Sequence, residues 1–254
     1  MRKIIKNILQ PLRKLAGRFV AVESFERELK PIDLAARYIC SEDIAGDYLE
    51  FGVFKGCSFI EAYHKIERGI NEWSNIERAY QAYSDRQRAE EFFNRVGRRA
   101  MRYFAFDSFD GLPELKGVDK GHPIFCKGRY DCNERDFRRN IQANGVDMSK
   151  VITVPGFYDK SLTDDIKKRH GIKAASIIMV DCDLYESAKA VLDFITDLVG
   201  DGTIIIFDDW FSFKARPDLG EQRACKEWLE QNPGISLIEY ARWGMGQVSF
   251  IVHK

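Results

Sequence analysis

The chain has 254 residues, 45% of them hydrophobic, and its 39 basic and 39 acidic side chains cancel to a formal charge of zero. That length supports one large core, or a core with small appendages, and the neutral balance excludes the strongly basic surface of a general nucleic-acid binder. The six cysteines (Cys40, Cys57, Cys126, Cys132, Cys182, Cys225) form no C-x-x-C pair and the four histidines are dispersed, which argues against zinc and for reduced thiols in a cytoplasmic protein.

No segment reaches the roughly 18 consecutive apolar residues of a membrane span. From Met1 to Arg18 the basic residues Arg2, Lys3, Lys6, Arg13, Lys14 and Arg18 occur without an acid, while Ile4, Ile5, Ile8, Leu9, Leu12 and Leu15 recur at helical spacing. Two readings are open: a helix lying on an anionic membrane surface, or one packed on the domain or on a second subunit. A signal peptide is not expected, because charges interrupt the apolar positions and no small-residue cleavage site follows. Phe25–Ser41 reads as another helix, so residues 1–45 form an N-terminal helical segment serving as lid, dimer contact or membrane contact.

Residues 46–254 read as one domain in which apolar runs alternate with amphipathic stretches. Strands are expected at Asp47–Val53, Arg102–Phe106, Val151–Val154, Ala175–Val180 and Thr203–Phe207, the last two as near-continuous β-branched runs buried on both faces. Helices are expected at Cys57–Ile66 and Glu186–Val199, the second stopped by Gly200-Asp201-Gly202. Between the first helix and second strand, Arg68–Arg99 is a charged, largely helical insertion, either a solvated surface helix or a lid or subunit contact. Ile235–Tyr240 and Gln247–Val252 form a terminal antiparallel pair. The alternation predicts an α/β, doubly wound, mostly parallel sheet, whose ligands sit beyond the carboxyl ends of the strands.

Those ends are rich in acids. Glu50-Phe51-Gly52-Val53-Phe54-Lys55-Gly56 is a glycine-containing turn that lets a ligand approach the backbone. It lacks the dinucleotide fingerprint, and Glu50 would repel a pyrophosphate while suiting a cationic ligand such as S-adenosylmethionine, which carries an ammonium and a sulfonium. Asp107-Ser108 closes the second strand, where a carboxylate can accept from ribose hydroxyls or simply open a turn. Asp181 follows the fourth strand and Asp208-Asp209 the fifth. Carboxylates so grouped repel one another unless a hard divalent cation holds them, and Mg²⁺ suits the set. Asp183, three residues before Glu186, is either part of that site or the N-cap of the next helix. His122, in the loop after the second strand, could approach an acceptor. The D-x-D of Asp181-Cys182-Asp183 also leaves open a metal-dependent glycosyltransferase, and a non-catalytic cofactor-binding protein is a further alternative.

Y-L-E-F-G-V-F-K-G at 48–56, D-S-F-D-G-L-P at 107–113, V-D-C-D-L-Y-E-S at 180–187 and I-I-F-D-D-W at 205–210 together resemble the macrocin O-methyltransferase (TylF/MycF-type) family of class I methyltransferases. The resemblance spans roughly residues 30–254. It implies a Rossmann-like, seven-stranded sheet with an antiparallel last strand, S-adenosylmethionine as methyl donor, Mg²⁺, a sugar hydroxyl of a natural product or glycan as acceptor, and a homodimer or larger assembly. By the same resemblance Glu50 and Gly52, with Val53 and Gly56 in the same turn, line the cofactor, and Asp107 with Ser108 takes the ribose. Gly156 and Phe157 border the adenine, and Asp181, Asp208 and Asp209 hold Mg²⁺. Asp181 and Asp183 are the candidates for removing the acceptor proton, with Asp181 favoured as ligand and base together. The 68–99 insertion departs from the family pattern and leaves the acceptor open.

Overall fold

The computed structural model describes residues 29–80, 101–120 and 122–254, the side chains of 73–80 excepted. The basic N-terminal stretch, the start of the expected 25–41 helix and the 81–99 part of the insertion lie outside the described residues. Residues 31–254 form one compact unit. Its elements are α1 (Pro31–Ser41), β1 (Asp47–Phe51), α2 (Cys57–Tyr80), β2 (Tyr103–Asp107), α3 (Glu134–Ala143), β3 (Val151–Pro155), α4 (Tyr158–Ser161), α5 (Asp164–His170), β4 (Ala175–Val180), α6 (Tyr185–Ile195), β5 (Ile204–Phe207), α7 (Gly220–Gln231), β6 (Ser236–Trp243) and β7 (Gln247–His253). The helix expected over 57–66 therefore runs on through Tyr80, because the charged residues beyond Ile66 are themselves good helix formers.

Seven strands form one sheet in the order β3-β2-β1-β4-β5-β7-β6. Neighbours from β3 to β5 are parallel, while β7 inserts antiparallel between β5 and β6. The class I methyltransferase architecture expected from the sequence is thus present. The β1 and β4 strands are buried at every position, as central parallel strands must be.

The period-2 alternation of the strands divides the core into two layers. Leu49, Phe51, Phe104, Phe106, Ile178 and Val180 face α6 and α7, where Trp228 is buried. Tyr48, Tyr103, Ile177, Met179, Ile204 and Ile206 face the other way, against Ile39 of α1, Phe59 and Ile66 of α2 and Phe137 of α3. Helix α1, grouped by sequence with the N-terminal segment, is therefore part of this core. Among the described residues no helix is long and apolar enough to cross a membrane.

Two strand ends meet with no room to spare. Asp181 N–H donates to the Phe51 carbonyl at 2.9 Å, and a Cβ on Gly52 would lie 1.7 Å from the Asp181 carbonyl oxygen. Gly52 also holds φ +90°, a left-handed conformation that favours glycine. Gly52→Ala is expected to cost roughly 1–3 kcal/mol in backbone strain and about 1–3 kcal/mol more in overpacking, read by urea unfolding. Gly171→Ala is the control: φ is +60° there but nothing lies within 4 Å, so only the strain remains. Equal losses at the two positions would refute the tight approach at Gly52.

Candidate active site

The carboxyl ends of the strands open on a cavity of about 940 Å³, within the usual range for a small-molecule site. Gly52, Asp107, Asp181, Asp208 and Asp209 reach it from the strand ends. Ser108, Phe157 and Asp183 also line it, whereas Glu50, Val53, Gly56, Gly156 and His122 stand behind or beside its wall.

Glu50 occupies the α2 face of β1, the same face as Tyr48, because the two are separated by one strand period. Its side chain is fully buried. The Tyr48 hydroxyl donates to Oε2 and the Ser58 hydroxyl to Oε1, both at 2.5 Å. Burial pushes the carboxyl up to about 8, against the lowering effect of those two bonds. Glu50 thus carries negative charge reluctantly, and a cation arriving nearby would favour its ionised form.

Asp107 organises the turns around it. Its Oδ2 accepts from the Val53 and Phe54 amides at 2.7 and 3.1 Å, and its Oδ1 from Phe109 N–H at 2.8 Å. The turn-opening reading of Asp107 is therefore realised, and it ties the loop after β1 to that after β2 while the carboxylate still borders the cavity. Gly156 N–H donates to the Asp107 carbonyl at 2.9 Å, which brings Phe157 to the wall. Gly56 has a different reason for lacking a side chain. A Cβ there would press on Ile141 at 2.7 Å and Phe137 at 3.0 Å, so this glycine lets α2 pack on α3.

Asp181, Asp208 and Asp209 each offer a carboxylate oxygen, and these atoms lie within 4.8 Å of one another. Burial, then Asp208 and Asp209, raises Asp181 well above the usual carboxylate range. Burial also raises Asp208, opposed by a hydrogen bond from Gln247 Nε2 to its Oδ1 at 2.5 Å. Asp183 is pushed up to about 8 by burial and by the neighbouring Asp209 and Asp208, while Arg129 pulls it down. Asp183 is not the N-cap of α6: that position is Leu184, with no side-chain bond, and Asp183 adopts φ 61°.

His122 stacks on Phe125 with ring centroids 3.9 Å apart and leans on Phe213 at 4.7 Å. Burial lowers its pKa from the ordinary value, and Asp209 works against that shift. It is near the cluster but packed among aromatics.

Four residues that sequence reasoning missed hold these acids in place. Gln247 on β7 orients Asp208. The Ser212 hydroxyl donates to Asp209 Oδ1 at 2.8 Å. Glu221, in the first turn of α7, accepts the Asp209 N–H at 3.1 Å and is buried with its Oε1 unpartnered. Asp119, in a short 3₁₀ turn after β2, accepts from Tyr185 and Glu186 N–H at 2.8 and 3.2 Å. Gln247, Glu221 and Asp119 act across 12 or more residues of sequence, so no local pattern announced them, and Ser212, three residues from Asp209, sits in a turn whose pairing the sequence does not mark.

A family model described as macrocin-O-methyltransferase (TylF) matches residues 89–229, more than half of the chain. Among solved structures, the O-methyltransferase NovP shares the fold at a TM-score of 0.60 and 19% identity, over 88% of this chain and 78% of that one. The calicheamicin methyltransferase CalS11 does so at 0.57 and 20%, over 87% and 76%. An O-methyltransferase from Bacillus cereus, in complex with SAH, aligns at 0.50 and 15%, over 98% and 94%. Identities this low speak to the fold alone, and no curated protein sequence matches the chain. It is the match across 89–229, taken with the sheet order and the acids at its strand ends, that carries the assignment: this chain belongs to the macrocin O-methyltransferase (TylF) family of O-methyltransferases.

Proposed function

We propose that the enzyme transfers the methyl group of S-adenosylmethionine to a sugar hydroxyl, on a natural product or surface glycan, with the help of Mg²⁺. The observation that carries this reading is the trio Asp181, Asp208 and Asp209, with carboxylate oxygens within 4.8 Å of one another, beside the buried acid Glu50 at the next strand end. The Bacillus cereus enzyme with the same fold binds SAH, which supports the donor. CalS11 is described as a TDP-rhamnose 3'-O-methyltransferase, which supports a sugar acceptor. The glycosyltransferase and non-catalytic alternatives have no support in the family match.

The trio fits a hard divalent ion on chemical grounds. Its donors are all oxygen, and its three half-buried carboxylates crowd together within 4.8 Å at the cavity wall. When bound there, Mg²⁺ would supply Lewis-acid polarisation of the acceptor oxygen. Glu50, just behind the cavity wall, provides negative charge toward the donor's cationic end. Asp107 keeps lone pairs free for ribose hydroxyls, since three amides do not exhaust the acceptor capacity of a carboxylate. Tight walls at Gly52 and Phe157 orient the donor, and orientation is the larger part of what an in-line displacement needs. We assign acceptance of the hydroxyl proton to Asp183 rather than Asp181. Asp183 lies outside the trio and lines the same cavity wall as Asp209, so its carboxylate is left over from metal binding and can accept the proton. We further take the enzyme to be a cytoplasmic homo-oligomer, with residues 1–45 and the 68–99 insertion as contact or lid elements.

Because ligand cations need Glu50 ionised and its pKa is raised to about 8, binding below that pH has to displace a proton. Calorimetry is expected to show S-adenosylmethionine affinity rising with pH up to about 8, by at most about tenfold per unit, and levelling above it. Glu50→Gln should weaken binding and flatten the profile; a flat profile in the unaltered enzyme would contradict the role of Glu50.

Asp208→Asn is expected to abolish Mn²⁺ binding in calorimetric titration, and chelation should stop methyl transfer while leaving S-adenosylmethionine binding intact. Wild-type Mn²⁺ affinity in that variant would remove the cluster as a metal site. Peripheral membrane contact through the basic N-terminus predicts flotation with anionic liposomes that is lost on deleting residues 1–24; identical flotation of both forms would end that idea.

A further inference from the structure

We infer that Asp119 is a positioning residue that caps helix α6 from outside and thereby leaves Asp183 free to face Asp209. The inference rests on the reading that the acid cluster is the reaction site, and deepens it. In the sequence Asp183-Leu184-Tyr185-Glu186, the local preference is for the first acid to turn back and accept the Glu186 N–H, as in a capping box. In the structure that N–H is already taken. Asp119 Oδ2 accepts it at 3.2 Å, and Oδ1 accepts the Tyr185 N–H at 2.8 Å. The helix's own N-cap, Leu184, contributes no side-chain bond.

Three further observations agree. Asp119 is 1% exposed, so its carboxylate is committed to these two amides rather than to water. It is held at the end of the 3₁₀ turn Gly117–Asp119 by its own N–H, which donates to the Lys116 carbonyl at 3.0 Å. Asp183, relieved of the cap, sits at φ 61°, a left-handed conformation that a non-glycine residue keeps only where its surroundings enforce it. Its carboxyl then shares the cavity wall with Asp209. The cap from Asp119 also ties the loop after β2, which contributes Leu112, Lys116, Lys127 and Tyr130 to the cavity wall, to the helix that follows the D-x-D segment. One carboxylate thus fixes both the wall and the acid that faces the acceptor.

The test combines a crystal structure of Asp119→Ala with Mn²⁺ calorimetry on the wild type, Asp119→Ala, Asp183→Asn and the double variant. In Asp119→Ala the Asp183 side chain is expected to leave Asp209 and accept the Glu186 N–H. Mn²⁺ affinity should fall by about tenfold, as when an outer partner of a metal ligand is removed. In the Asp183→Asn background the same substitution should cause little further loss, since the two act through one another. Should Asp119→Ala fail to fold, Asp119→Asn keeps one acceptor oxygen and should show a smaller change of the same kind. An Asp183 that stays on Asp209 without Asp119, or equal losses in both backgrounds, overturns the inference. A wild type that binds no Mn²⁺, with Asp183 displaced in the variant crystal, supports the positioning role and rejects the metal reading.

Discussion

Negative charge withdrawn from water has to be held by something, and in this protein five carboxyl groups crowd the ends of three neighbouring strands. Burial, and then the charges of neighbouring acids, raise the proton affinity of Glu50, Asp181, Asp183 and Asp208, with Asp209 among the charges acting on the three aspartates. A sheet selected for stability alone would place apolar or turn-forming residues at these ends, since an uncompensated buried charge is among the most costly features a fold can carry. Their presence fits the proposed role in holding a cation, and the neighbouring structure is arranged to support them.

That support comes from near and distant parts of the chain alike. Tyr48 and Ser58 hold Glu50, Gln247 holds Asp208, Ser212 and Glu221 hold the Asp209 segment, and Asp119 frees Asp183. Backbone economy does the rest. Gly52 lets β1 touch the Asp181 carbonyl, and a Cβ on Gly246 would lie 2.3 Å from the Asp208 carbonyl. The carboxylates are therefore fixed by their surroundings, as a preorganised site requires.

The sheet and most of the acids were legible in the sequence because each rests on a short-range signal. Ala175–Val180 and Ile204–Phe207 announce central strands by unbroken burial, and the rule that ligands sit beyond strand ends pointed to Asp107, Asp181 and Asp208. The illegible part consists of single hydrogen bonds across long separations. Asp119 and Glu186 are 67 residues apart, and Gln247 and Asp208 are 39; polar residues in loops carry no mark of such a partner. Asp183 shows the same limit from the other side. Its local pattern spelled a helix cap, and only a competitor from another loop decided against it. Gly56 belonged to a turn that the resemblance assigned to the cofactor, and its neighbours are Ile141 and Phe137.

The insertion of β7 between β5 and β6 has a bearing on how the protein is made. Until Gln247–His253 leaves the ribosome, β5 presents an unpaired edge of Ile204–Phe207 to its surroundings, the kind of apolar edge that recruits other chains. During that interval Asp208 also lacks the amide of Gln247. The nascent domain passes through a stage in which an apolar strand edge and an acid-rich corner are unfinished together, and one strand completes both. Synthesis and assembly of the site are coupled at that step, so slow translation or early termination near residue 247 exposes the chain to misassembly rather than leaving a merely inactive enzyme.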